Sequence, residues 1–70
     1  MYRFLVVIEK AGRNYSAYSP DLPGCIATGA TRHQVKKNMH EAIALHIEGI
    51  KEDGQSIPRS NSSAESIAFR

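Results

Sequence analysis

The chain has 70 residues, with nine basic and seven acidic side chains, three histidines and one cysteine, for a formal net charge of +2. That length gives one domain with no room for a second, and a domain so short buries only about 60% of the surface its unfolded chain exposes. A single cysteine excludes an internal disulfide and a multi-cysteine zinc site, so oligomerisation is the expected support for the small core.

The charge is mild and its positive members are scattered, which does not argue for a nucleic-acid partner. Phe4 to Ile8 is the longest apolar run, far short of a membrane span. The start, Met1-Tyr2-Arg3-Phe4, lacks the basic region and long apolar run of a signal peptide. A soluble cytoplasmic protein without a membrane partner is expected.

Residues 2–9 read as a strand. Tyr2, Phe4, Val6 and Ile8 form a wholly apolar face, and Leu5 and Val7 make the centre of the other face apolar as well. A strand apolar on both faces at its centre usually sits inside a sheet with something covering each side, here expected to be a helix on one side and another subunit on the other. Lys10-Ala11-Gly12-Arg13 reads as a hairpin loop. Residues 14–19 form a second strand, with Tyr15, Ala17 and Ser19 on one side and Ser16 and Tyr18 on the other.

Ser19-Pro20-Asp21-Leu22-Pro23-Gly24-Cys25 then holds two of the three prolines and the only cysteine. The prolines keep this connection out of the ladder and stiffen it. Residues 24–29 return as a third strand, completing an antiparallel meander.

A helix is expected over residues 32–53. Thr31 with Gln34 three residues later forms a capping box, no proline interrupts the pattern, and Gly54 is placed to stop it. Val35, Met39, Ala42, Ile43, His46 and Ile50 fall on one face, opposite Lys37, His40, Glu41, Ala44, Glu48 and Lys51. Residues 55–63 form a polar, serine-rich linker in which only Ile57-Pro58 is expected to pack. Residues 65–69 have the character of a short fourth strand, which a right-handed crossover would place beside the first, in the order 3-2-1-4. The expected fold is α+β, a single β-β-β-α-β domain.

Few residues suggest chemistry. His33 and His40 share a helix side but lie about 10 Å apart along its axis, and His46 is on the opposite face. No pair has the i, i+4 spacing that would bring two imidazoles to one ion, so no metal is expected. His46 reads as a half-buried core residue. Cys25 has no identifiable base and reads as a small buried apolar side chain. Asp21 reads as the residue that bonds backbone amides in a Pro-Asp turn. Gly24 and Gly29 do not make a phosphate-cradling loop, so no nucleotide cofactor is expected. Tyr2, Phe4, Tyr15 and Tyr18 on a sheet could in principle stack RNA bases, but the helix must cover one face, and a tyrosine in a strand more often fills core or interface.

The combination Tyr15-Ser16-Ala17-Tyr18-Ser19-Pro20-Asp21-Leu22-Pro23-Gly24-Cys25, then Gly29-Ala30-Thr31, Asn38, Glu41-Ala42-Ile43, Asp53-Gly54 and Ile57-Pro58 resembles the HicB-like antitoxin family over residues 2 to about 58. The resemblance implies a partial RNase H-like β-β-β-α-β fold. It also implies a type II toxin-antitoxin function: binding a HicA-type toxin, a small mRNA-cleaving ribonuclease with a double-stranded-RNA-binding-like fold, and covering its active site. Members of full architecture add a C-terminal helix-turn-helix or ribbon-helix-helix domain. None is readable in residues 1–70, so DNA binding is not expected of this stretch. RNase H chemistry needs clustered carboxylates holding magnesium, and Glu9, Asp21 and Glu65 form no such cluster in sequence.

The expected function is therefore that of a protein-binding domain rather than an enzyme. Tyr18, Asp21, Leu22, Pro23 and Cys25 are the candidate partner-binding residues, and the protein is expected to form a homo-oligomer, dimer or tetramer. The competing expectation is a stand-alone oligomeric domain with weak nucleic-acid binding and no toxin partner.

Overall fold

Gly12 decides where the first hairpin turns. It stands at φ 62 while Arg13 keeps a negative φ, so Gly12-Arg13 is a two-residue loop with glycine at its first position. That is the type II′ arrangement, whose twist matches the strands it joins. Ala11 therefore pairs with Asn14, and the ladder runs back to Val7 opposite Tyr18. The computed structural model describes all 70 residues, with β1 at Val7–Ala11, β2 at Asn14–Tyr18, β3 at Ile26–Gly29 and α1 at Arg32–Glu52. The sheet is antiparallel in the order β1-β2-β3, and the α+β class is as expected.

β1 begins five residues later than the apolar alternation suggests. In the register that pairs Val7 with Tyr18, Leu5 would face Pro20. Proline has no amide hydrogen to give the ladder, and the chain turns away there. The alternation still directs side chains correctly, since Phe4, Val6 and Ile8 all pack against the core.

Two consecutive turns join β2 to β3. The Leu22 amide donates to the Ser19 carbonyl at 3.1 Å, closing a turn with Pro20 at its second position. The Cys25 amide donates to the Leu22 carbonyl at 3.0 Å, closing another over Pro23-Gly24. Gly24 sits at φ 82, so this second turn is type II, with proline and glycine in the places that type favours. The third strand accordingly starts at Ile26 instead of residue 24.

α1 is capped at both ends. The Gln34 amide donates to Thr31 Oγ1 at 3.0 Å. The Gln34 side chain does not complete the capping box; its Nε2 donates forward to Asn38 Oδ1 at 3.0 Å. Asn38 Nδ2 in turn donates to the Thr28 carbonyl at 2.8 Å, fastening the helix to β3. At the other end the Gln55 amide reaches the Ile50 carbonyl and the Gly54 amide reaches that of Lys51, with Gly54 at φ 69. This is a Schellman closure, and it sets the helix end one residue earlier than expected.

The helix covers one face of the sheet. Ala17, Leu22, Cys25, Val35 and Met39 are buried together, with Ile8, Tyr15, Ala27, Ala42 and Ile43 packed around them. Beyond the helix, Ile57 and Pro58 are half-buried and run beside residues 1–4. The fourth strand expected at 65–69 is not formed, and the order 3-2-1-4 is not realised. The Asn61 and Ser62 amides each donate to Asp21 Oδ2 at 3.1 Å, which holds this segment at the β2–β3 loop. No helix is long and apolar enough to cross a membrane.

Candidate protein-binding surface

Strand register sorts the side chains into two faces, because successive residues point to opposite sides. Ile8, Ala17 and Ala27 lie opposite one another across the three strands, and this row meets the helix. The adjacent row, Val7, Tyr18 and Ile26, therefore faces away from it. Tyr18 is 42% exposed and Ile26 69%. Pro23, at the tip of the adjoining loop, is exposed as well. The result is an apolar row on the open face of the sheet, bordered by a rigid double turn.

The five candidate residues from the sequence divide sharply. Tyr18 and Pro23 reach the surface, whereas Leu22 is fully buried and Cys25 is 4% exposed. Leu22 and Cys25 shape the loop from beneath and offer nothing to a partner in this conformation. Truncating Leu22 would open a cavity in the core, so it would not act as a clean probe of binding.

Asp21 is half-buried, and its carboxylate accepts three hydrogen bonds. Two come from the Asn61 and Ser62 amides, and the third is from Ser62 Oγ to Asp21 Oδ1 at 2.9 Å. The expected role of bonding backbone amides is thus performed, but 40 residues away instead of inside its own turn.

Ile26 is not among the sequence candidates, although strand alternation puts it on the face opposite Cys25 and Ala27. Nothing local marks Asn61 and Ser62 as the partners of Asp21. Burial pushes the Cys25 thiol up from its ordinary value, which holds it in the protonated, unreactive form. The aromatic residues do not form one platform, since Phe4 and Tyr15 pack against the core while Tyr18 is on the other face. No three His, Cys, Asp or Glu side chains come together in a group able to hold a metal ion.

The helix thus covers one sheet face, and the Val7, Tyr18 and Ile26 row lies open on the other. The chain belongs to the HicB-like antitoxin family: the family model described as the HicB-like antitoxin of bacterial toxin-antitoxin systems matches residues 4–69. A 14.9 kDa protein from the rep-hol intergenic region of Haemophilus phage HP1 is 43% identical over 56 residues. That match spans 80% of this chain but only 42% of the phage relative. A UPF0150 protein of Thermoplasma acidophilum is 37% identical over 60 residues, covering 84% of this chain and 87% of the relative. Among solved structures, a HicA3 and HicB3 toxin-antitoxin complex contains a chain similar to this one at a TM-score of 0.67 and 31% identity. The match covers 84% of this chain and 72% of that one.

Proposed function

We propose that this chain is an antitoxin that binds a HicA-type ribonuclease toxin and neutralises it by covering the toxin's active site. The observation that carries the reading is its similarity, at 31% identity over 84% of its length, to a chain of a HicA3 and HicB3 complex. Family membership across residues 4–69 supports the same role.

The exposed row gives the reading a physical basis. Tyr18 supplies an aromatic ring with a polar tip, Ile26 an aliphatic side chain, and Pro23 a preordered loop contact that loses little entropy on binding. Neutralisation in this account is steric. It needs no catalytic group on the antitoxin, and it suits a domain whose titratable residues are dispersed. Co-expression with a HicA-type toxin from the same genome tests the role. Growth arrest by the toxin should be relieved by the native chain and not by a Tyr18→Ala, Ile26→Asp variant. Equal rescue by both chains would place the contact elsewhere, and no rescue by the native chain would remove the antitoxin role.

A further inference from the structure

Residues 64–69 are the part of the chain that the fold leaves unused. They carry no regular structure, and Ile67 and Phe69 are 76% and 89% exposed. The whole molecule is extended accordingly: its radius of gyration is 13.6 Å, against about 11 Å for a compact domain of this length. Its accessible surface is 5853 Å², against about 4,300 Å² for a compact monomer of 7.7 kDa. The excess, on the order of 1,500 Å², exceeds the roughly 800 Å² that each partner buries in an association of standard size.

The same molecule carries a receptacle. α1 lies chiefly over β3 and β2 and leaves the inner face of β1 open. A groove of about 680 Å³ results, with Tyr2, Phe4, Val6 and Ile8 on one wall, Met39 and Ile43 on the other, and Lys36 and His40 at its polar margin. β1 pairs with β2 on one side only, so its second edge is unpaired, and an unpaired edge is a template for another strand.

Segment and groove match in pattern and in charge. In an extended conformation Glu65, Ile67 and Phe69 share one face, because side chains two apart point the same way. Glu65 is the one acidic residue after Asp53, and the groove's charged margin is Lys36. The chain's own segment leaves from the β2–β3 loop, where Asp21 holds Asn61 and Ser62.

We propose that residues 64–69 of one copy add along the free edge of β1 in a second copy, placing Ile67 and Phe69 in its groove, and that the exchange is reciprocal. Every copy carries both parts, so the assembly closes as a two-fold dimer. Each Phe69 then buries most of an aromatic side chain, about 150–250 Å². The helix-side groove and the Tyr18–Ile26 row lie on opposite faces of the sheet, so dimer formation and toxin binding are separable.

Light scattering on the purified 70-residue chain over a range of concentrations tests this directly. The native chain should reach twice the 7.7 kDa mass of one chain. An Ile67→Asp, Phe69→Asp variant should stay at one chain's mass with an unchanged far-ultraviolet circular dichroism spectrum. Lys36→Glu should weaken the dimer by roughly tenfold or more, and adding Glu65→Lys in the same chain should restore it. A Tyr2→Cys, Phe69→Cys chain should oxidise to a disulfide between chains. A native chain that stays single, a dimer that survives the double Asp substitution, or a disulfide formed within one chain would overturn the proposal.

Discussion

Tyr18 and Ile26 are direct cross-strand partners of β2 and β3, on the sheet face opposite the helix. Such a pair contributes only about 0.2–1 kcal/mol to the sheet relative to two alanines. Tyr18→Ala should therefore lower the melting temperature by only about 1–8 °C. Its effect on toxin binding should be larger, roughly 30-fold if the ring is an interface anchor of about 2 kcal/mol. Calorimetric titration alongside a thermal melt separates the two quantities.

Asp21 links the β2–β3 loop to residues 61–62, and its three hydrogen bonds all go to that segment. Asp21→Ala should free the segment and lose about 1–3 kcal/mol, in the range of a charged hydrogen-bonded contact that is partly exposed. Hydrogen exchange at the Asn61 and Ser62 amides should become much faster while exchange in β2 changes little. Continued protection of those two amides would show that something other than Asp21 holds them.

Gly29 is required by close packing and not by backbone conformation. A Cβ added there would lie 2.6 Å from the Val35 amide nitrogen and 2.9 Å from its Cα. These are backbone atoms that cannot swing aside, so Gly29→Ala should destabilise by about 1–3 kcal/mol, the usual cost of overpacking. Gly49 in α1 is the contrast, since a Cβ there would meet nothing within 4 Å. Gly49→Ala should stabilise by about 0.5–1 kcal/mol through helix propensity. Thermal melts of the two variants should move in opposite directions.

Ser19 is 3% exposed, and its hydroxyl has no hydrogen-bond partner. An unpaired buried polar group costs about 1–3 kcal/mol, whereas an apolar group of similar shape carries no such penalty. Ser19→Ala should be neutral or stabilising, and urea denaturation should show an equal or higher midpoint. A clear loss of stability would mean that the hydroxyl is paired in solution.

Cys25 should resist alkylation in the native state, since burial both shields the thiol and raises the value at which it ionises. The linkage has a definite sign. The unfolded chain gives up this proton at a lower pH than the folded one, so the group disfavours folding only once pH rises above the ordinary thiol value of 9.0. Stability measured from neutral to alkaline pH should fall less steeply above that point in a Cys25→Ala variant than in the native chain.

What local sequence could predict tracks the range of the interactions. Alternation assigned Phe4, Val6 and Ile8 to the inner face, and Thr31 marked the helix start, because side-chain direction and capping depend on near neighbours. The start of β1 could not be read from Phe4 or Leu5, since it depends on Pro20 falling opposite in the final register. Asp21 carried a visible capacity to accept amides, but its partners lie in a polar stretch with no pattern of its own. Ile67 and Phe69 do alternate as a strand would, yet alternation does not say which edge, or whose, the segment pairs with. The family resemblance rested mainly on the double turn from Ser19 to Cys25. There Pro23 and Gly24 satisfy a type II turn, and Leu22 and Cys25 fill the core beneath it.

The central claim is that this chain recognises a HicA-type toxin through the open face of its sheet. Titration of the purified toxin with the native chain and with the Tyr18→Ala, Ile26→Asp variant tests it most directly. A saturable complex with loss of ribonuclease activity is expected for the native chain, and affinity at least tenfold weaker for the variant at a temperature where its thermal melt shows it folded. Absence of a complex with the native chain, or equal affinity for the two, would contradict it.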